Sequence, residues 1–215
     1  MLRILIFLTL LSGWLEHSLP QEKVINKTFS LAEASEINLN LKFANTILIK
    51  GWEKKEARLT ARISIDEGRK NDWLVHDFKH QENRLSIVSG YKKPEGADDQ
   101  YHQNMHITYE LMVPQDALLS VESINGNIEI LGLQQDIRAK SISGFVDVTW
   151  NPALGADMAL KSISGDIYSD LDIQYYDKSR ANNPVNFEIK GQFKDGKYTV
   201  NLASISGNVY LRKQK

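Results

Sequence analysis

A four-residue phrase repeated in phase constrains this chain more than any other feature. It occurs as Ser123-Ile124-Asn125-Gly126, Ser141-Ile142-Ser143-Gly144, Ser162-Ile163-Ser164-Gly165 and Ser204-Ile205-Ser206-Gly207. The glycines lie 18, 21 and 42 residues apart, and 42 is twice 21. Aligning the copies on glycine brings apolar residues into columns. Leu119, Ile137, Met158 and Val200 stand seven before it; Val121, Ala139, Leu160 and Leu202 stand five before. Ile128, Val146, Ile167 and Val209 follow two after it, and Ile130, Val148, Ser169 and Leu211 four after.

The apolar offsets are odd before the glycine and even after it. Side chains on a strand alternate faces, so the phase changes at the glycine, as a bend or bulge would require. Glycine tolerates the unusual φ that such a corner can need. Units of about twenty residues cannot bury an apolar face alone and are stable only when stacked. The expected fold is therefore all-β, a single β-solenoid with turns of about 20 residues. The long gap before the last copy is read as one degenerate turn around Phe187–Gly191, a loop over Tyr175–Pro184, and a tight hairpin turn at Asp195-Gly196.

Upstream, Ile37, Leu39, Leu41 and Phe43 alternate with polar residues, and Ala57, Leu59, Ala61, Ile63 and Ile65 alternate strictly. Both stretches read as half-buried strands. Leu74, His76, Phe78 and His80, followed by Leu85 and Ile87, suggest a hairpin, with a helix over Asn71–His80 as the competing reading. Gly90–Asn104 has no apolar period and reads as a surface excursion, and Pro114 marks a corner or an edge. At the N-terminus, Arg3 precedes an apolar run from Ile4 to Leu15, too short to span a bilayer and suited to a signal peptide. The expected organisation is a signal peptide over 1–19 and a solenoid domain over 20–215, with leading strands at about 37–113 and regular repeats at about 118–212. Such a chain is exported, to the periplasm, the outer envelope or the medium.

Composition narrows the function classes. The chain has 26 basic and 27 acidic residues and no cysteine. Balanced, interspersed charge does not suggest a nucleic-acid partner. The missing cysteines exclude disulfides, thiolate metal sites, a cysteine nucleophile and a lipoprotein anchor.

With these phrases in hand, the sequence resembles a bacterial adhesin-like family of unknown function. Its members carry serial Ser-x-Ser-Gly-Asp-Ile phrases behind a signal peptide, a strand-rich leading part and a proline. The matching residues are the four phrases, Val113-Pro114 and Ile47-Leu48-Ile49-Lys50-Gly51-Trp52, within a likeness running from about Ile37 to Arg212. Copy two departs from the pattern, with Phe145 where the others have Asn or Asp. The resemblance implies a β-solenoid and brings no catalytic residues.

Residue chemistry agrees with a non-enzymatic chain. His76 with His80, and His102 with His106, have helical metal-ligand spacing but fall in segments read as strand or loop, where four residues span too far for one ion. Asp98 and Asp99 near His102 would make at best a weak site. Glu129, Asp147, Asp166 and Asp170 are not read as one column, as a glycosidase groove would want. No cofactor or metal is expected. Two surface candidates remain. Tyr168 and Tyr210 share the position three after the glycine, and with Trp150 could stack on sugar rings, although pairing across a sheet face is their commoner use. Ile124, Ile142, Ile163 and Ile205 have parity opposite to the apolar columns before the glycine. Either the chain has already turned there and they join the core, which is the expected arrangement, or they form an exposed stripe and an interaction surface. The function expected is an adhesin-like module with an envelope or extracellular partner, glycan or protein. A polysaccharide-active or polysaccharide-binding protein and an envelope-sensing accessory protein are the alternatives.

Overall fold

Nearly every extended segment carries one apolar face, and two sheets enclosing one core bury most of them, with β1 and β13 at the edges only partly covered. The computed structural model describes residues 22–96, 104–176 and 187–215. Strands are numbered in chain order. The eight-stranded sheet runs β1 (Lys23–Ser30), β4 (Glu56–Ile65), β7 (Met105–Pro114), β3 (Thr46–Trp52), β9 (Asn127–Leu131), β11 (Val146–Trp150), β17 (Val209–Lys213), β13 (Ile167–Ser169). The nine-stranded sheet runs β14 (Gln174–Tyr175), β15 (Phe187–Phe193), β12 (Ala156–Ser162), β16 (Tyr198–Ser204), β10 (Ile137–Ser141), β8 (Leu118–Ser123), β2 (Glu36–Asn40), β6 (Arg84–Tyr91), β5 (Leu74–Gln81). The only helical element among the described residues is a 3-10 turn at Asn71–Trp73. None of the described helices is long and apolar enough to cross a membrane.

The fold is all-β, as the alternation requires, but it is two mixed sheets and not a single solenoid. A solenoid stacks its turns in the order of the chain and keeps every pairing parallel. Here β1, β4 and β7 pair antiparallel, as do β5 with β6 and β15 with both β12 and β14. The central strands are parallel, and the aligned columns are true cross-strand neighbours: Leu119, Ile137, Val200 and Met158 face one another in that order. That order is not the chain's. The last phrase, carried by β16 and β17, inserts between the second and the third. The spacing explains how. Core positions Ile130 and Ile137 are 7 residues apart, whereas Val148 and Met158 are 10 apart. Three more residues, worth up to about 10 Å when extended, let the chain step over one vacant strand position.

The degenerate turn expected at Phe187–Gly191 is instead an antiparallel strand on the far side of β12. Because β12 lies between β15 and β16, Asp195-Gly196 joins two strands that are not neighbours, and is not a hairpin turn. The additional parallel units lie upstream. β2 and β3 pair with β8 and β9 in register, and β6 and β7 pair with β2 and β3. The Leu74–Ile87 hairpin forms as β5 and β6, and Ala57, Leu59, Ala61, Ile63 and Ile65 are all buried along β4.

The phase change at each glycine is the passage from one sheet to the other. The first serine of each phrase is buried and organises the corner. Its Oγ accepts from the N–H of its own glycine, at 3.0 Å for Ser123 and Ser141 and 2.9 Å for Ser162 and Ser204. It donates to a carbonyl of the adjacent unit: Ser123 to Leu41, Ser141 to Gly126, Ser204 to Gly144, Ser162 to Gly207. The reason for glycine also differs from the expected one. None of the four is at positive φ. At Gly144 a Cβ would stand 2.1 Å from the Gly126 carbonyl oxygen, and at Gly207 2.4 Å from that of Gly144. Close approach of neighbouring corners excludes a side chain.

Candidate functional site: a corner ridge and an aromatic column

Inward positions run seven, five and three before each glycine, the last being the buried serine. The isoleucine two before it therefore points outward. Ile124, Ile142 and Ile163 are 37%, 38% and 46% exposed, and Ile205 is partly exposed. This corrects the expected core placement: the serine, not the isoleucine, takes the inward place at the turn. Backbone bonds tie the four into one row. Ser143 N–H donates to the Ile124 carbonyl, Ser206 N–H to Ile142 and Ser164 N–H to Ile205, each at 2.8 Å. The row runs Ile124, Ile142, Ile205, Ile163 along one corner. Beside its first two members lies a depression of about 240 Å³ lined by Asn40, Lys42, Glu122, Ser123, Ile124, Lys140 and Ile142. A second, of about 210 Å³, continues over Asn38, Ser86, Val88 and Ser120 on the nine-stranded sheet.

The other candidate column separates. Trp150 is fully buried, six after its glycine and hence on the inward parity, with Nε1 donating to the Leu154 carbonyl at 2.9 Å. Its indole meets Tyr198 edge-on with centroids 6.0 Å apart. It is a core residue and not part of a surface. Tyr168 and Tyr210 are register partners on β13 and β17, stacked with centroids 5.2 Å apart and planes 10° apart. Phe145, which reading the sequence marked only as a departure from the pattern, meets Tyr210 edge-on at 6.2 Å. The Arg212 guanidinium lies 4.8 Å over the Tyr210 ring. Neither was singled out for this site, though Arg212 stands two residues beyond Tyr210 and so shares its face.

Around these rings is a polar rim. Tyr168 Oη donates to Asp166 Oδ2 at 3.1 Å, and Asn208 Nδ2 to the Tyr210 hydroxyl at 2.8 Å. Asp166 N–H donates to Asn208 Oδ1 at 2.9 Å. The hydroxyl bond to Asp166 holds the Tyr168 phenol above its ordinary pKa.

Two of the acidic residues do share a column: Glu129 and Asp147 are register partners on β9 and β11. Partial burial raises the Asp147 pKa, Arg212 opposes that, and Glu129 adds to it. Arg212 pairs with Asp147 at 2.7 Å. Asp166 stands two residues earlier in its unit, and Asp170 accepts from Lys213 N–H at 2.6 Å, so neither joins the pair. His76 and His80 lie on β5 as strand residues. His76 Nε2 shares a hydrogen bond of 2.7 Å with the buried Tyr109 hydroxyl, and His80 Nε2 one with the Ser30 carbonyl. His106 is on β7; His102, Asp98 and Asp99 lie outside the described residues, as does the proposed signal. Among the described residues no three potential ligands gather for a metal.

No protein-family model matches the chain, and no curated protein matches its sequence. Two solved structures from Parabacteroides distasonis and Parabacteroides merdae, both described as putative adhesins, align at TM-scores of 0.37 and 0.32. Their identities are 13% and 11%, each over 68% of this chain and 64% of theirs. A structure from Clostridium sporogenes, described as a putative cell adhesion protein, aligns at a TM-score of 0.56 and 11% identity, over 90% of this chain and 100% of that one. At that identity the similarity to the Clostridium sporogenes protein is one of fold.

Proposed function

We propose that this protein is an exported, non-enzymatic adhesin-like module that presents the isoleucine ridge to a partner in the cell envelope or outside the cell. The observation that carries the reading is the row Ile124, Ile142, Ile205, Ile163. Apolar residues two before each glycine could be polar at no cost to the core, yet all four are isoleucine and they align into one continuous stripe. The fold shared with a putative cell adhesion protein supports the same reading, as does an N-terminus that begins basic and continues apolar. A glycan-cleaving enzyme holds two carboxylates across the bond it breaks. Glu129 and Asp147 sit side by side on an outer sheet face, with Asp147 already paired to Arg212, which favours binding over catalysis.

The test is whole-cell binding by the purified mature chain, wild type beside the double variant Ile142→Asp/Ile205→Asp. Cell binding by the wild type that the double variant loses, with an unchanged unfolding midpoint, is the expected result. No binding to any cell removes the content of the reading.

A further inference from the structure

The aromatic column ends at the sheet edge, and its last ring is only half covered. Tyr210 is contacted by Phe145, Arg212 and Tyr168. Tyr168 has Tyr210 as its one ring neighbour among the described residues, on the last strand of its sheet, and remains 49% exposed. One face is stacked and the other is open. At the rim of that open face stands a carboxylate, Asp166, oriented by the bond it accepts from the Tyr168 hydroxyl, while Asn208 lies on the covered side against the Tyr210 hydroxyl.

We infer that the open face of Tyr168, with Asp166 at its rim, is a glycan subsite that takes a pyranose ring. A pyranose offers a flat C–H face for the phenol ring and hydroxyls around its edge for the carboxylate. The rival ligands fit less well. An apolar protein anchor needs a pocket that removes it from water, and this ring stands on an open edge. A quaternary ammonium is held by a cage of several rings, and a single face is open here.

This assignment rests on the reading of the protein as a binding module and is tested separately from it. The mature chain is titrated by calorimetry and by 1H–15N NMR with cellohexaose, chitohexaose, maltohexaose and mannohexaose. At least one hexasaccharide binds, with shifts centred on Tyr168 and Asp166. Tyr168→Ala weakens it about tenfold or more, the loss of roughly 1.4 kcal/mol, while Tyr168→Phe stays within about threefold. Ile142→Asp leaves the saccharide affinity unchanged. The inference is overturned if none of the four binds at millimolar concentration, or if Tyr168→Ala binds like the wild type. Cell binding that persists in either case leaves the adhesin reading standing while the subsite falls.

Discussion

The corner serines offer the sharpest test of how the sheets are joined. Replacing Ser141 by Ala removes one side-chain oxygen and two hydrogen bonds, from Gly144 N–H at 3.0 Å and to the Gly126 carbonyl at 2.9 Å. Ser141 is completely buried, so water cannot take over either bond. Each stranded group costs about 1–3 kcal/mol, giving a total of about 2–6 kcal/mol. For a chain of this size each kcal/mol lowers the Tm by roughly 2–4 °C, so a loss of about 3 kcal/mol lowers it by roughly 6–12 °C. Ser143→Ala changes the other serine of the same phrase, which is exposed, and stays within about 0.5 kcal/mol. The assay is equilibrium urea unfolding followed by far-UV circular dichroism, with the Tm measured in parallel. If Ser141→Ala and Ser143→Ala unfold alike, the serine ladder does not hold the corners and the reasoning fails.

Gly144→Ala puts a Cβ 2.1 Å from the Gly126 carbonyl oxygen and should cost about 3 kcal/mol or more, read in the same urea titration. Trp150→Ala should cost about 3–5 kcal/mol, since it empties a fully buried indole site and orphans the Leu154 carbonyl. An unchanged midpoint would contradict the core assignment of this tryptophan. His76 predicts a pH dependence. Burial first, and the charge of Lys23 second, lower its pKa from 6.5 to about 4. The fold thus favours neutral His76, so this contribution is complete above pH 6.5 and is lost as pH falls towards 4. The shift corresponds to about 3 kcal/mol at most. Urea midpoints measured from pH 8 to 4 should fall less steeply for His76→Gln, and parallel curves would refute the assignment.

Much of this architecture is visible in the sequence because burial imposes period two on a strand. The alternation over Ala57–Ile65 is buried as read, and the four aligned columns are register partners, buried except at Ile167 and Ser169 on the edge strand β13. The exposure of the isoleucines was legible too, since parity places them outside once the serine is recognised as the inward residue. Trp150 could have been assigned by the same count, six after its glycine. Strand order was not legible. The spacing of 21 in place of 18 signals a longer crossing, but not which later segment fills the space. The β2–β3 unit was hidden because its corner, Leu41-Lys42-Phe43-Ala44-Asn45, lacks the phrase and is one residue longer: Leu39 to Ile47 is 8 residues, Val121 to Ile128 is 7. Non-local pairing is a property of the folded ensemble, and a local pattern does not encode it. The role of Phe145 depends on Tyr210 arriving beside it from 65 residues away, which no local pattern signals, whereas Arg212, two residues beyond Tyr210, follows from the same parity count as Trp150.

The insertion of β16 and β17 has a consequence for biogenesis. These strands follow all the other described strands in the chain but occupy interior positions in both sheets, with β10 and β11 on one side and β12 and β13 on the other. Until they arrive, β12 and β13 have no parallel partner and the core is split by a gap one strand wide. The molecule cannot be built layer by layer as it leaves the ribosome or a translocon. Its final pairing waits until β16 and β17 have emerged, and such non-local closure is slow and exposes unpaired edges meanwhile. For the same reason the segment Tyr198–Lys213 is a keystone and not a cap. Deleting it removes a strand from the middle of each sheet, and the two halves of the core lose contact together.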